Sequence, residues 1–525
     1  MHRRDAGKLI MAAGALGLLG PGGALAADGV ELGPAEPFSH EALIQRAKAL
    51  AADPFKPTPV IAPEVMATID YDAYQKIAFR PERTLWRNGQ APYPVAFFHP
   101  GKFFPEPVPI GVVEGGMARP VLHGRDLFDY GATGLDARLP EDIGFAGFRA
   151  LYPDRAQSDW IAFLGASYFR SSGPLDQYGM SARGLAIDTA MPDRPEEFPR
   201  FVAFWLERTD PDSGVLPVHA LLDGPSCAGA YRILCRRDPD VVTTEVEATL
   251  FFRRDVARLG AAPLTSMFWY AEHNRRQSTD WRPELHDTDG LALWTGTGER
   301  LWRPLSNPPS VRTSSFADKD PKGFGLLQRD RDFDHYQDDG VYYDRRPGVW
   351  VEPLEAWGEG AVQLVEIPTD DEIYDNIVAY WTPSTQPKGG ESRTLRYRLH
   401  WCAEEPFPPS LARVVATRIG RAGIAGQTPR PTEGKKFVID FEGGGIGDLE
   451  QRYDVACVVG TSRGRIDNPY ALKVLGTNRW RGFFDLRDVD DAQEPVELRC
   501  FLRLDGKPLT ETWVFQYLPF AFRPG

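Results

Sequence analysis

Apolar and polar positions alternate along most of this chain. The runs PVAFFH (94–99), DWIAFLGASYFR (159–170), RFVAFWLER (200–208), VTTEVEATLFFRR (242–254) and LTSMFWYAE (264–272) are short and rich in β-branched and aromatic residues. Gly, Pro, Asn and Asp separate them, and the 51 Gly and 46 Pro of the chain supply the turns. A two-residue period sends successive side chains to opposite faces, so these runs predict strands of a large antiparallel β structure. The clearest helical stretch is SHEALIQRAKALAA (39–52), where Leu43, Ile44, Ala47 and Leu50 recur at helical spacing behind an N-capping Ser39.

The pattern is interrupted at CAEEPFPPSLAR (402–413), where Pro406, Pro408 and Pro409 follow the strand-like RTLRYRLHW. Seven short strand runs follow, from RVVATRIG to TETWVFQYLPF. Seven strands with turns between them are what an immunoglobulin-like sandwich requires. The expected organisation is therefore all-β: a large domain over 28–402, a Pro-rich linker over 403–413, and a small β-sandwich over 414–525. A length of 525 residues fits two domains.

Residues 1–27 stand outside this pattern. Arg3, Arg4 and Lys8 precede an apolar run from Leu9 to Leu19 and a small-residue end at Ala24–Ala27. That is the order of a secretory signal, and the paired arginines resemble the twin-arginine type. The apolar run is too short to span a bilayer, which takes roughly 20 residues. Export is expected, and removal of the leader takes the net charge from −13 to −15. Such a charge argues against nucleic acid or an anionic membrane as partner and suits a neutral ligand. Of the five cysteines, Cys227 with Cys235 and Cys457 with Cys500 could form bridges, or all could be buried free thiols.

The richest chemistry lies in DWRPELHDTDG (280–290). Counted as an EF-hand from Asp287, its Gly falls at position 4 and Gly298 at position 12, so no calcium cage closes. The acidic DRDFDHYQDD (330–339) has no recognised ligand spacing either. No metal and no cofactor are expected. GASYF and GPSCAG do not make a G-x-S-x-G elbow, and no G-x-G-x-x-G opens a helix. Paired carboxylates in an aromatic cleft remain, the equipment of glycosidic bond cleavage. Asp280–Asp289, flanked by Trp269, Tyr270, Trp281 and Trp294, is one candidate. The stretch EIPTDDEIYDNIVAYW (366–381), with Asp375 and Trp381, is another. The residue pattern alone does not choose among these carboxylates.

Long stretches carry a resemblance: YQKIAFRPERTLW (74–86), FLGASYFRSSG (163–173), SMFWYAEHNR (266–275), DWRPELHDTDGL (280–291), PKGFGLLQRDRDFDHYQD (321–338), RRPGVWVEP (345–353) and DNIVAYW (375–381). In these the chain resembles the periplasmic glucan biosynthesis protein G and D family, and its leader resembles the D branch. The resemblance implies a galactose-mutarotase-like β-sandwich followed by an immunoglobulin-like domain. It also implies an inverting endo-β-1,2-glucanase with Asp375 as general acid and Asp287 as general base, the base working through a water and substrate-hydroxyl relay. Tyr343 matches a tyrosine near the scissile sugar, in a DDGVYYDRRPG context that departs from the family. Trp269, Trp281, His286, Arg345, Trp350 and Trp381 complete the expected substrate-binding set. The implied partners are the β-1,2-glucan backbone, a membrane glucan synthase and a second copy of the chain, reached by a loop at about 421–435 that here has no aromatic. Transglycosylation that cyclises or branches the glucan, and a non-catalytic scaffold role, are the alternatives.

Overall fold

Alternation is clearest in the strand Val241–Phe252, whose residues are buried and half-buried in strict turn. Its neighbours Cys227–Arg237 and Ser392–Cys402 pair with it antiparallel along nearly their whole length. The computed structural model describes residues 25–27 and 29–519 apart from 425, 427 and 432; the expected leader falls almost entirely outside them.

Two large sheets build an all-β architecture. The ten-stranded sheet runs from Arg312–Lys319 through Glu359–Glu366, Ile377–Pro383 and Leu259–Ser266 to Gly147–Tyr152 and Val95–Phe97. The sixteen-stranded sheet includes Arg200–Glu207, Val215–Asp223, Cys227–Arg237, Val241–Phe252 and Ser392–Cys402. Their inner faces meet in an aromatic core: Phe148 and Phe163 of the first sheet lie against Phe204 of the second, at 5.3 and 6.2 Å between centroids. Each such buried ring contributes on the order of 2–3 kcal/mol. On the outer face of the larger sheet sits the helix His40–Ala52, capped by Ser39, whose hydroxyl accepts from the Ala42 amide. Its Leu43 and Ala47 pack against Ala203, Leu221 and Ala230. Among the described residues, no other α-helix exceeds four residues.

The seven C-terminal strands form, but they divide between two sheets. Arg413–Arg421, Lys435–Glu442, Arg479–Arg487 and Arg465–Lys473 make a four-stranded sheet. Thr512–Tyr517, Val496–Leu504 and Ala456–Thr461 instead continue the large sheet, because Leu301 and Trp302 pair in parallel with Thr512 and Trp513. The second hydrophobic core accordingly mixes Ala292, Trp302, Leu327 and Trp350 with Phe437, Trp480 and Trp513. The Pro-rich segment 403–413 is packed as well: Ala412 is wholly buried, and Glu405 pairs with Arg300 and Arg329.

All five cysteines are free and buried. Cys227 and Cys235 lie on one strand, Cys227–Arg237. Eight residues at about 3.3 Å each hold them some 26 Å apart, so of the two readings of this pair a bridge is excluded and free thiols hold. Cys457 and Cys500 lie on paired strands with their sulfurs 3.5 Å apart.

Candidate active site

The strand Leu259–Ser266 pairs with Ile377–Pro383 as far as Ser266 opposite Ile377, and stops at Met267. Phe268–Tyr270 then takes a new partner, Leu285–His286. This break brings two distant segments together. The Asp287 amide donates to the Met267 carbonyl at 2.9 Å. The Asn376 side chain closes a ring on the next residue, accepting from the Phe268 amide and donating to its carbonyl, both at 2.8 Å, and it also donates to Ile367 at 2.9 Å. Asp287 follows His286, and Asp375 precedes Asn376. Residues 88 apart in sequence thus project from neighbouring positions on one splice.

Burial in this splice and, after it, the charge of Asp287 push the Asp375 carboxyl up to about 7 against the opposing pull of Arg170 and Arg346. Asp375 lines a cavity of 110 Å³ with Ile367, Thr369 and Tyr374. Asp287 is buried and paired with Arg346, which donates to its Oδ1. Burial works against the guanidinium, but the Asp287 carboxylate outweighs it and raises the Arg346 pKa. The same guanidinium lies 4.0 Å from the centroid of Tyr343. The site therefore holds one carboxyl that keeps its proton up to about pH 7 and a second one paired with an arginine, the division of labour that acid–base cleavage of an acetal requires.

Tyr343 is buried, and its hydroxyl donates to Glu372. Glu372 also accepts from Arg282 at 3.0 Å, and Arg282 binds Asp280 and Asp338. Asp338 in turn accepts from the Gly340 and Val341 amides, each at 2.9 Å. The DDG sequence before Tyr343 is thus a capped turn braced by Arg282, and that arginine ties the 280, 338 and 372 loops together. His286 is wholly buried, stacked on Phe268, with Nε2 on Glu284 and Nδ1 on Gln328. Burial disfavours its charge, but Glu284 outweighs burial and raises its pKa. Gln328 passes the chain on to Tyr336 and the Tyr343 carbonyl. His286 is a support for the site.

The expected set separates. Asp287, Asp375, Tyr343 and His286 converge, and Trp269 shares the small aromatic cluster of Met267, Tyr270 and Tyr343 beneath them. Trp281, at 72% exposure, is a free aromatic face beside Arg282. Trp350 and Trp381 are corrections. Trp350 is wholly buried in the second core against Phe407, and Trp381 is buried in the first against Trp357, so neither offers a face to a substrate. Trp294 likewise packs on Phe407 and Arg300. Arg345 is displaced by its neighbour: its side chain is 56% exposed and near Asp344, whereas Arg346 reaches Asp287. Asp289 accepts from the Arg329 and Asp330 amides, and Gly290 opens a strand. A Cβ at Gly290 would fall 2.2 Å from the Trp302 ring, so the DTDG glycine answers to close packing. Sequence reasoning missed Arg346, Glu372, Arg282 and Asn376; the only available signal was that each lies in or beside a stretch already marked by resemblance. A larger cavity of 760 Å³ lies where the C-terminal strands meet the large domain, and its wall includes neither Asp287 nor Asp375. The paired carboxylates, not the volume, locate the chemistry.

These features define an all-β protein with a buried pair of carboxyls at a break between strands. Residues 38–517 match the family model described as "Periplasmic glucan biosynthesis protein, MdoG", and the chain belongs to that family. Relatives 46–50% identical to it carry the name of the D type. "Glucans biosynthesis protein D 2" of Ralstonia nicotianae is 50% identical over 508 residues, covering 95% of this chain and 94% of that one. "Glucans biosynthesis protein D" of Stenotrophomonas maltophilia is 47% identical over 489 residues, covering 93% and 91%. No helix among the described residues is long and apolar enough to cross a membrane.

Proposed function

We propose that this protein hydrolyses the β-1,2-glucan backbone in the periplasm during glucan biosynthesis, as an inverting endo-glucanase exported by the twin-arginine route. Asp375 protonates the leaving glycosidic oxygen, and Asp287 takes the proton of the attacking water through a substrate hydroxyl. The observation that carries this reading is the contrast between the two carboxyls: one pushed up to about 7, the other locked to Arg346. Trp281 offers a flat apolar face for a sugar ring. Arg346 and the Tyr343–Glu372–Arg282 chain keep the base and the tyrosine in place.

The test is incubation of linear β-1,2-glucan with wild type and Asp375→Asn, followed by thin-layer chromatography. Short linear oligosaccharides from wild type alone support the reading. Cyclic products by mass spectrometry would indicate transglycosylation, and no product from either protein would leave a scaffold role.

A further inference from the structure

We propose a divalent transition-metal site at Glu284, Asp330 and His335, on the wall of the 760 Å³ cleft and separate from the two catalytic carboxylates. One ligand atom from each of the three residues lies within 4.8 Å of the others. All three residues line the cleft, so water can complete the coordination from its open side. Two carboxylate oxygens and one imidazole nitrogen suit Zn²⁺ or Mn²⁺ better than an all-oxygen cation such as Ca²⁺.

The geometry is built. Glu284 is buried, and its Oε2 is fixed by His286 at 3.1 Å. Such a hydrogen bond behind a ligand is the usual means of orienting it. Asp330 is held from both ends: its Oδ1 accepts from the Asp332 amide at 3.1 Å, and its carbonyl accepts from Tyr336 at 3.0 Å. His335 stands on the single turn Phe333–Tyr336, which Asp332 caps, and its Nδ1 is hydrogen-bonded to Asp330 Oδ2 at 2.5 Å, a contact that a bound ion would replace.

A second observation points to a ligand in the same cleft. Asp289 lines this cleft, and its Oδ1 is buried with no donor. A buried carboxylate oxygen without a partner is costly, and a metal-bound water is a donor of the kind it lacks. Ligand spacing could not reveal this cluster, since Glu284 and Asp330 are 46 residues apart and come from separate loops. The ligand Glu284 also connects through His286 and Gln328 to the Tyr343 backbone, so the ion would stiffen the loop that carries the tyrosine.

The test is calorimetric titration of the EDTA-treated full chain with Zn²⁺ and with Mn²⁺, beside Glu284→Gln and His335→Ala. One equivalent of metal in wild type, with affinity lowered about tenfold or more in the variants, is expected. His335 is 49% exposed, so its alanine variant should fold and decides the matter if Glu284→Gln does not. No saturable binding in wild type, or equal affinity in wild type and His335→Ala, overturns the site.

Discussion

Asp375→Asn should make the protein inactive and, at alkaline pH, more stable. A carboxyl whose folded pKa is raised binds its proton more tightly in the folded chain. Between its unfolded value and its folded value the folded state holds the extra proton, so stability falls as pH rises through that window. For Asp375 the window runs from 3.8 to about 7. Between pH 5 and the upper edge about two pH units remain, and at 1.36 kcal/mol each they amount to roughly 3 kcal/mol. The carboxyl is half-buried, so screening by solvent brings the expectation to about 1.5–3 kcal/mol. An asparagine cannot ionise and escapes this loss. The assay is urea unfolding of wild type and Asp375→Asn at pH 5 and at pH 8. Subtracting the variant at each pH removes the other titrating groups, and the difference should grow in favour of the variant at pH 8. In an Asp287→Asn background it should shrink, because the Asp287 charge is the second cause of the shift. A difference that does not change with pH, or that grows the other way, would refute the reasoning.

Three further outcomes follow from the same geometry. Arg346→Met leaves the Asp287 carboxylate buried without its partner and should destabilise the protein by about 3–5 kcal/mol in urea, with glucan cleavage lost; Arg346→Lys should restore stability in part but not the contact with Tyr343. Asn376→Ala removes three hydrogen bonds from the splice and should lower Tm with a loss of about 2–4 kcal/mol, together with a fall in kcat that Asn376→Asp does not repair. Trp281→Ala should raise KM for glucan without moving Tm, whereas Trp381→Ala should cost about 3–5 kcal/mol by leaving a cavity.

Period-two alternation made the β class and the strands legible, and helical spacing the one long helix among the described residues, because burial on one face writes itself directly into the residue order. The strand Val241–Phe252 and the helix His40–Ala52 both fall within a residue or two of the pattern. What alternation could not express was which strands become neighbours. Thr512–Tyr517 reads like any strand of a small sandwich, yet it joins the large sheet beside Arg300–Pro304. The site shows the same division. Resemblance singled out Asp287 and Asp375, but aromatic composition does not distinguish a ring in a cleft from one in a core, hence the misplacement of Trp350 and Trp381. Arg345 and Arg346 are adjacent arginines with opposite fates, set by the extended turn at Arg346 after Tyr343–Arg345, which no local signal encodes. Glu372 and Arg282 acquire meaning only as partners across ninety residues.

The break at Met267 has a consequence for how such a protein can change over time. The spacing of the two carboxyls is set by a splice a few residues long, so of the long stretch of chain between them few residues besides Arg346 and Tyr343 have to be held in place. Insertions and deletions in the surface loops between 290 and 366 can reshape the surroundings while leaving the two carboxyls in register. A single substitution at Asn376, by contrast, would reach both at once.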